Sequence, residues 1–361
     1  MEAAGVFQFE GTPVDAKPYG CGHINDTYCV CCERENKPQR RYILQRVNHH
    51  VFQDVPALME NMIAVTAFLR KAVIAEGGDP DRECLTLIDT KDGAKYYRDP
   101  DGNYWRAFIF IENAITYQTV GKPEHFYYSG CAFGKFQRLL ADYPSATLHE
   151  TIPHFHDTAS RYRDFEKAVE ENVTGRAADV AEEIAFIRAR KADCSILVDM
   201  LERGELPLRV THNDTKLNNV MLDDVTGRPV CVIDLDTVMP GLSLYDFGDS
   251  MRFGTNPAAE DEKDLSKVYC DLNLFEQYTK GFLEECGSML TDNEIAMLPL
   301  SAKLMTLECG MRFLADHIAG DTYFKIHREG HNLDRCRTQL KLVADMESKM
   351  DAMKQIVEKY R

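Results

Sequence analysis

A short polar run in the second half of the chain carries a histidine, an aspartate and an asparagine at fixed spacing. His212, Asp214 and Asn219 stand in the order H-x-D-x-x-x-x-N. This spacing is typical of a kinase catalytic loop, in which the aspartate faces a substrate hydroxyl and the asparagine turns back toward a metal. An H-x-D pair alone is common in hydrogen-bonded loops, so the prediction depends on what surrounds it.

A second carboxylate follows the loop after a short apolar run. Asp234 comes directly after Val230-Cys231-Val232-Ile233, which predicts a strand that ends at a metal-binding oxygen. Phosphoryl transfer needs metal-borne positive charge and a positioned nucleophile. We therefore expect Asp214 to accept the hydroxyl proton, and Asn219 and Asp234 to hold Mg²⁺. The marks of an ordinary protein kinase are missing, because no Asp-Phe-Gly follows this strand and Asn213 replaces the usual arginine.

Length and charge narrow the class of protein. At roughly 100–200 residues per domain, 361 residues predict two units. The net charge of -16 disfavours nucleic-acid binding, although it would suit a cationic substrate. Apolar runs fall short of the ~18 residues of a membrane span, and the first residues lack a basic signal-peptide head. We expect a cytoplasmic enzyme without membrane or nucleic-acid partners.

The N-terminal third has the pattern of a nucleotide-binding lobe. Gly20 and Gly22 lie just before a β-like segment and predict a turn whose backbone amides approach phosphates. The next strand covers residues 41–47, and Asp54 is expected to cap a helix. Apolar residues at helical spacing predict the buried face of that helix: Leu58, Met62, Val65 and Leu69.

The nucleotide-binding strand lacks the lysine that kinases place against the phosphates. It contains Gln45 and Arg46 instead, and a one-residue change of register decides which of them faces the nucleotide. We favour Arg46, because a guanidinium binds phosphate through paired N–H donors, with Glu60 as its partner.

The next strand, 104–111, leads into a predicted hinge. The backbone of Glu112 and Ala114 is expected to meet adenine, and helical patterns follow. The last helix, near residues 337–360, is expected to dock on the body of a monomer, since its apolar stripe is too short for a coiled coil. The predicted fold is α+β and bilobal, like a protein kinase. A small β-rich N-lobe covers residues 1–112, and a larger, mainly helical C-lobe covers residues 113–361.

Several runs together resemble the aminoglycoside phosphotransferase and choline kinase superfamily of small-molecule kinases, and within it the N-acetylhexosamine 1-kinases. They span nearly the whole chain: Pro18 to Asn25, Tyr42 to Arg46, His154 to Thr158, Val210 to Asn219, Ile233 to Gly241 and Glu308 to Asp316.

The resemblance implies transfer of phosphate from ATP, with Mg²⁺, to the anomeric hydroxyl of N-acetylglucosamine or N-acetylgalactosamine. It also implies a set of sugar-binding residues: His23, Arg312, Asp316 and Tyr323. Their spacing allows another interpretation, because Arg312 and Asp316 at i and i+4 could form an intrahelical ion pair. We expect His212 and Asp246 to brace the catalytic loop, and Asp236 to support the metal site.

Two other functions stay open at the level of sequence. One is a kinase of the same fold acting on an aminoglycoside, choline or homoserine. The other is a catalytically silent nucleotide-binding regulator. The missing lysine favours this alternative, whereas the retained Asp214, Asn219 and Asp234 argue against it.

Overall fold

The computed structural model describes residues 2–20, residue 22 and residues 24–361. It confirms the α+β class, with a β-sheet in the N-terminal region and helices in the C-terminal part. The chain forms two compact units. The first comprises Met1–Ile115, Asp142–Ile152 and Met221–Met239, and the second comprises Thr116–Ala141, Pro153–Val220 and Pro240–Arg361. Two later segments thus join the N-terminal unit, in addition to the stretch expected before residue 112.

The strands lie mostly in the first unit. In chain order they are β1 (Thr12–Pro18), β2 (Asp26–Arg34), β3 (Lys37–Val47), β4 (Tyr97–Arg98), β5 (Tyr104–Ile109), β6 (Ala114–Ile115), β7 (Arg209–Thr211), β8 (Val220–Asp223), β9 (Pro229–Val232) and β10 (Met239–Gly241). The main sheet has the order β1-β2-β3-β5-β4 with antiparallel neighbours. Smaller sheets pair β6-β8-β9 and β10-β7.

The register of β3 against β5 determines which side chains share a face of the main sheet. Gln45 lies opposite Arg106, and Leu44 lies opposite Ala107. Because neighbouring residues on a strand point to opposite faces, Gln45 and Arg106 share one face while Leu44 joins the other. On that second face Leu44 belongs to an apolar cluster with Phe7.

The helices are mostly in the second unit. In chain order they are α1 (Val55–Ala75), α2 (Pro123–Leu139), α3 (Thr158–Glu171), α4 (Ala181–Arg188), α5 (Ile196–Glu202), α6 (Ser243–Gly254), α7 (Leu272–Cys286), α8 (Asp292–Ala319), α9 (His331–Ser348) and α10 (Met350–Tyr360). None of the described helices combines the length and the apolar character needed to cross a bilayer.

Helix α1 confirms the capping prediction. The Asp54 side chain accepts a hydrogen bond from the backbone N–H of Ala57 at 3.0 Å, and a proline occupies the first turn. The predicted apolar face is buried, as shown by Leu58, Met62, Val65 and Leu69. A cap and a 3.6-residue period are local signals, which is why the sequence sufficed here.

Helix α8 lies at the centre of the second unit. Its N-terminus has a capping box in which Thr291 and Glu294 exchange side-chain-to-backbone hydrogen bonds. Its apolar residues form a buried cluster with α3 and α9 that includes Leu307, Met311 and Leu314. Polar positions of the same helix, described below, therefore have a rigid support.

The prediction of a single C-terminal helix is wrong, because the helix is interrupted at one residue. Lys349, with φ -107° and ψ 5°, separates α9 from α10. Its ammonium donates to the carbonyl of Cys270 (2.9 Å) and to Asp345 (2.7 Å). The apolar stripe continues across this break, and Met353 and Val357 are buried, so docking onto the second unit is confirmed.

Candidate active site

The loop that carries the H-x-D-x-x-x-x-N frame follows β7 and is held by a buried acid. Asp246, fully buried on α6, accepts from the backbone N–H of His212 (3.0 Å) and of Asn213 (2.8 Å). Gln137 donates to the same carboxylate at 2.6 Å. Burial raises the pKa of Asp246 despite these donors. Asp246 therefore braces the loop, as the sequence led us to expect.

A second buried acid holds the loop on the other side of Asp214. Asp249, one turn further along α6, accepts from the backbone N–H of Thr215 at 2.9 Å and pairs with Arg252 at 2.8 Å. Burial alone would raise the pKa of Asp249, but the charges of Arg252 and Lys216 keep it low. Sequence reasoning missed Asp249, because no motif marks an acid that acts on backbone 34 residues away.

Asp214 presents a carboxylate that is 30% exposed. Its Oδ1 lies 2.8 Å from the ammonium of Lys216, and the charge of Asp214 raises the pKa of that ammonium. The amide of Asn219 donates to the Asp214 carbonyl at 2.8 Å and to Oδ2 at 3.2 Å. The carboxylate is thus oriented from both sides and remains accessible. Lys216 was not singled out from the sequence, although its place two residues after Asp214 was the available signal.

The residues expected to hold Mg²⁺ have suitable chemistry. Because Asn219 uses its NH₂ group on Asp214, its amide oxygen is the atom left to bind a cation. Asp234 follows β9 and adopts a left-handed backbone with φ 62°, which is uncommon outside glycine and is found at functional sites. No three His, Cys, Asp or Glu side chains of the described residues group as a complete metal cage. An amide oxygen and a carboxylate are each groups that Mg²⁺ accepts, since it takes one or two carboxylates together with substrate phosphates.

Asp236 links the segment after β9 to Asn25, the residue before β2. Its carboxylate lies 2.6 Å from the buried guanidinium of Arg106 and accepts from Asn25 at 2.6 Å. Arg106 also donates twice to Gln45, at 3.0 and 2.9 Å. The face of the main sheet that carries Gln45 and Arg106 therefore holds a buried polar network built around Asp236.

Arg46 lies on the other face of β3, where it pairs with Asp26. Its side chain is 44% exposed. Glu60, the partner expected for Arg46, contacts the ring of His149 at 2.7 Å instead, so that expected pair is wrong. The register puts Gln45 rather than Arg46 beside Arg106, because side chains alternate along a strand. Contact of Arg46 with phosphates stays a prediction.

The predicted hinge has a defined backbone. The Glu112 side chain pairs with Arg41, and its carbonyl accepts from Arg82. Ala114 lies opposite Asp223 in the sheet of β6 and β8. At the glycine turn Gly20 has φ 81°, a conformation that only glycine adopts readily, and Gly22 is exposed. The adenine and phosphate contacts of these residues stay predictions.

The expected sugar-binding arginine lies among aromatic rings in the second unit. The Arg312 guanidinium is 5.4 Å from the ring centre of Phe155, 5.8 Å from Tyr323 and 5.5 Å from Phe324. It also lies 3.4 Å from the Tyr323 hydroxyl, and Tyr323 is largely exposed. His23 falls outside the described residues.

Asp316 is engaged with the backbone of the following loop. It accepts from the N–H groups of Thr322 (2.9 Å), Tyr323 (2.8 Å) and Phe324 (2.9 Å), and from Asn332 at 2.8 Å. A carboxylate has about four acceptor sites, so these donors saturate it. The intrahelical ion pair with Arg312 therefore gives way to a loop anchor that places the ring of Tyr323.

A chain of contacts inside the second unit leads from Arg312 to the catalytic loop. The ring of Phe155 lies 4.5 Å from the ring of His156, whose Nε2 lies 3.1 Å from the carbonyl of Asn213. On α8, Glu308 contacts the other ring nitrogen of His156 at 2.8 Å. The residue before Asp214 is therefore packed against the base of the aromatic cluster. Sequence reasoning did not assign a role to Glu308, because its contact with His156 joins residues 152 positions apart.

The fold and this loop together define a class, the small-molecule phosphotransferases with a kinase-type catalytic loop. The family model described as the phosphotransferase enzyme family matches residues 15–279, and the chain belongs to that family.

Solved structures of the same fold cover nearly the whole chain. An aminoglycoside phosphotransferase from Alicyclobacillus acidocaldarius matches with 12% identity and a TM-score of 0.63, covering 99% of this chain and 96% of that one. A microcompartment-associated aminopropanol kinase matches with 17% identity and a TM-score of 0.57, covering 94% and 93%. An amicoumacin kinase in complex with AMP-PNP, Ca²⁺ and Ami matches with 13% identity and a TM-score of 0.59, covering 94% and 91%. At these identities the likeness concerns the fold.

Proposed function

We propose that the chain is an ATP- and Mg²⁺-dependent kinase that phosphorylates the anomeric C1 hydroxyl of N-acetylhexosamines. In this reaction a bond forms between the C1 oxygen and the γ-phosphorus, and the bond from that phosphorus to the bridging oxygen of ADP breaks. Asp214 takes the hydroxyl proton. Its exposed, oriented carboxylate supports this role, because a general base must be within hydrogen-bond reach of the proton it accepts.

The groups around Asp214 support the same role. Lys216 lies on Oδ1, so the carboxylate is held in one rotamer and its negative charge is partly balanced. Asn219 fixes the backbone carbonyl of Asp214 from within the loop. Oxygens of Asn219 and Asp234 would hold Mg²⁺, which when bound offsets the charge of the phosphates.

Nucleotide contacts are proposed for residues of the first unit. The backbone at Gly20 and Gly22 would face phosphates, and Glu112 and Ala114 would meet adenine. The amicoumacin kinase of the same fold was solved with the nucleotide analogue AMP-PNP, which supports ATP as the donor. Arg46 would have to leave Asp26 to reach a phosphate.

The positive charge around Arg312 is the observation on which the choice of a neutral acceptor rests. Arg161 donates twice to the carbonyl of Phe155, at 3.1 and 3.0 Å, while Arg312 lies over the ring of the same residue. Burial and the neighbouring charge of Arg312 both lower the pKa of Arg161. Two guanidinium groups this close repel a cationic acceptor, and a neutral sugar offers them hydroxyl and amide oxygens.

Asp164 pairs with Arg161 at 3.6 Å from an exposed position and offsets part of the charge of Arg161, but it is not paired with Arg312. Asp316 is saturated by its own loop, and Glu308 is engaged with His156. Of the proposed sugar-binding residues described, Arg312 and Tyr323 thus keep polar groups for a ligand, while Asp316 would act through Tyr323.

The second candidate is a kinase for a cationic alcohol such as an aminoglycoside or choline. The net charge of -16 and the acceptors named for relatives of the same fold favour it. Net charge acts on encounter more than on the chemistry inside a site, so it weighs less than the two arginines.

Release of ADP over a panel of acceptors tests the proposal. The panel holds N-acetylglucosamine, N-acetylgalactosamine, their 1-deoxy analogues, an aminoglycoside, choline and homoserine. We expect turnover with the two N-acetylhexosamines and none with the 1-deoxy sugars. Turnover with the cations alone would select the second candidate, and nucleotide binding without any ADP release would indicate a silent regulator.

Arg312→Ala tests the acceptor site within the same assay. We expect kcat/KM for the sugar to fall about 10- to 100-fold, because the substrate loses a polar partner, with the KM for ATP little changed. Arg163→Ala is the matched control, since Arg163 is an exposed arginine on the same surface helix as Arg161. Equal losses in the two variants would contradict the role of Arg312.

A further inference from the structure

His156 is buried between α8 and the catalytic loop and touches an acceptor on each side. Its Nδ1 lies 2.8 Å from Oε1 of Glu308, and its Nε2 lies 3.1 Å from the carbonyl of Asn213. Thr158 donates to the other Glu308 oxygen at 2.8 Å. Asp157, the next residue, caps α3, and Glu308 lies on the long helix α8, so the ring has little freedom to turn.

These contacts require a proton on the pair. A carbonyl only accepts hydrogen bonds, so Nε2 of His156 must carry a hydrogen toward Asn213. Nδ1 then faces a carboxylate, and a second proton must lie between that nitrogen and Glu308 or their lone pairs would repel. The pair in its working form is therefore an imidazolium with a carboxylate, or a neutral ring with a carboxylic acid.

The surroundings favour the charged pair. Burial alone would lower the pKa of His156, but the charge and hydrogen bond of Glu308, with Asp249 beyond it, raise it. Burial alone would raise the pKa of Glu308, but His156 and the charge of Arg312 hold it below its usual value. Tyr245 of α6, whose ring lies 5.5 Å from that of His156, is a further titratable neighbour.

The backbone of Asn213, beside Asp214, is thus held by hydrogen bonds at both its N–H and its carbonyl. Asp246 takes the N–H groups of His212 and Asn213, and His156 takes the Asn213 carbonyl. Asn213 itself has a left-handed backbone with φ 65°, which costs free energy unless its surroundings maintain it. Loss of one side would let this peptide relax and move Asp214.

We propose that His156 is a positioning residue that holds the Asn213 carbonyl and makes turnover depend on the proton shared with Glu308. The proposal rests on the proposed function only in assigning the hydroxyl proton to Asp214. It does not depend on which alcohol is the acceptor.

The pH dependence follows from the direction of the His156 pKa. A group whose pKa is raised in the folded protein contributes fully below its unfolded value, and its contribution is lost as pH rises through the raised pKa. Turnover and stability should therefore both fall on the alkaline side.

Two substitutions separate the contacts of the ring. His156→Gln keeps an N–H donor near the position of Nε2 and loses the pairing with Glu308. His156→Asn keeps a donor near Nδ1 and loses the Asn213 carbonyl. We expect His156→Gln to retain most of the turnover, and His156→Asn to lose about 10- to 100-fold in kcat with both KM values little changed, the scale of a small displacement of a catalytic group.

The kinetics are measured on the full chain with the acceptor that the panel identifies. The unfolding of each variant is measured in parallel, so that its stability is known. We expect the alkaline fall in wild-type kcat to be absent in His156→Gln. Equal kcat in the two variants, or an unchanged alkaline fall in His156→Gln, would overturn the proposal.

Nitrogen NMR of the histidine rings in the wild-type protein gives a readout that needs no acceptor. We expect both nitrogens of His156, assigned by loss of its signals in a variant, to be protonated near neutral pH. A ring whose Nε2 carries no hydrogen there would overturn the proposal even if the variants do not fold, because it could not hold the Asn213 carbonyl. Absence of turnover with every sugar, together with a doubly protonated ring, would refute only the proposed function.

Discussion

Asp214 is accessible while the backbone around it is immobilised by buried groups. Backbone groups of residues 212, 213 and 215 form hydrogen bonds with Asp246, His156 and Asp249. The side-chain amide of Asn219 donates to the carbonyl of Asp214 itself. A catalytic base gains from this arrangement because it meets its substrate without further ordering. Under the proposed function, the buried acids on α6 and α8 therefore position the loop as well as stabilise it.

Replacing Asp214 by asparagine separates proton transfer from binding. Asp214→Asn keeps the shape of the side chain and removes the proton acceptor, so we expect turnover to fall about 10²- to 10⁴-fold with nucleotide affinity little changed. Asp234→Asn is the contrasting variant, in which nucleotide binding should lose its dependence on Mg²⁺. Isothermal titration with AMP-PNP and steady-state ADP release measure the two effects. Near wild-type turnover of Asp214→Asn at saturating substrates would contradict its role.

At the scale of elements, strands β3 and β5 present two arginines in opposite environments. Arg106 is buried with Asp236 and Gln45, while Arg46 pairs with Asp26 at the surface. Removing one member of a buried ion pair leaves the other charge buried without a partner. When a surface ion pair is broken, the remaining charge is hydrated by water instead.

We expect Arg106→Met to lower the free energy of unfolding by about 3–5 kcal/mol, because Asp236 would stay buried without its cation. Arg46→Ala is the matched control and should change that free energy by about 0–1 kcal/mol. Urea denaturation measures both variants. A loss in Arg46→Ala as large as that in Arg106→Met would show that the assignment of the two faces is wrong. The KM of Arg46→Ala for ATP reports separately on phosphate contact.

Helices α2 and α7 approach closely through glycines. A Cβ atom at Gly130 would lie 2.4 Å from the carbonyl oxygen of Tyr278, and one at Gly281 would lie 2.3 Å from that of Tyr127. Backbone cannot yield as a flexible side chain does, so the crossing requires both glycines.

Gly130→Ala is therefore expected to destabilise the protein by about 1–3 kcal/mol, because α2 and α7 must separate. Gly287→Ala serves as control, since its Cβ would meet Leu283 at an ordinary 3.6 Å and its backbone is right-handed. It should be neutral or stabilise by up to about 1 kcal/mol. Thermal unfolding compares them, and an unchanged Tm in Gly130→Ala would mean that the helices are further apart.

For the whole molecule, the sequence predicted features with a local cause. The cap at Asp54, the apolar face of α1 and the catalytic-loop frame depend on residues a few positions apart. Contacts between distant segments were not predictable in this way: Asp249 acts on backbone 34 residues away, and Glu308 contacts a ring 152 residues away. The expected pair of Arg46 and Glu60 failed for a related reason, since their actual partners, Asp26 and His149, lie on other segments of the chain.

The position of the transferred phosphate tests the central claim most directly. Phosphorus NMR of the product from ATP and N-acetylglucosamine should show a phosphate coupled to the anomeric proton, because only the C1 hydroxyl would lie between Asp214 and the γ-phosphate. The 1-deoxy analogue should bind without forming a product. A 6-phosphate, or phosphorylation of an aminoglycoside or choline with no sugar product, would contradict the account.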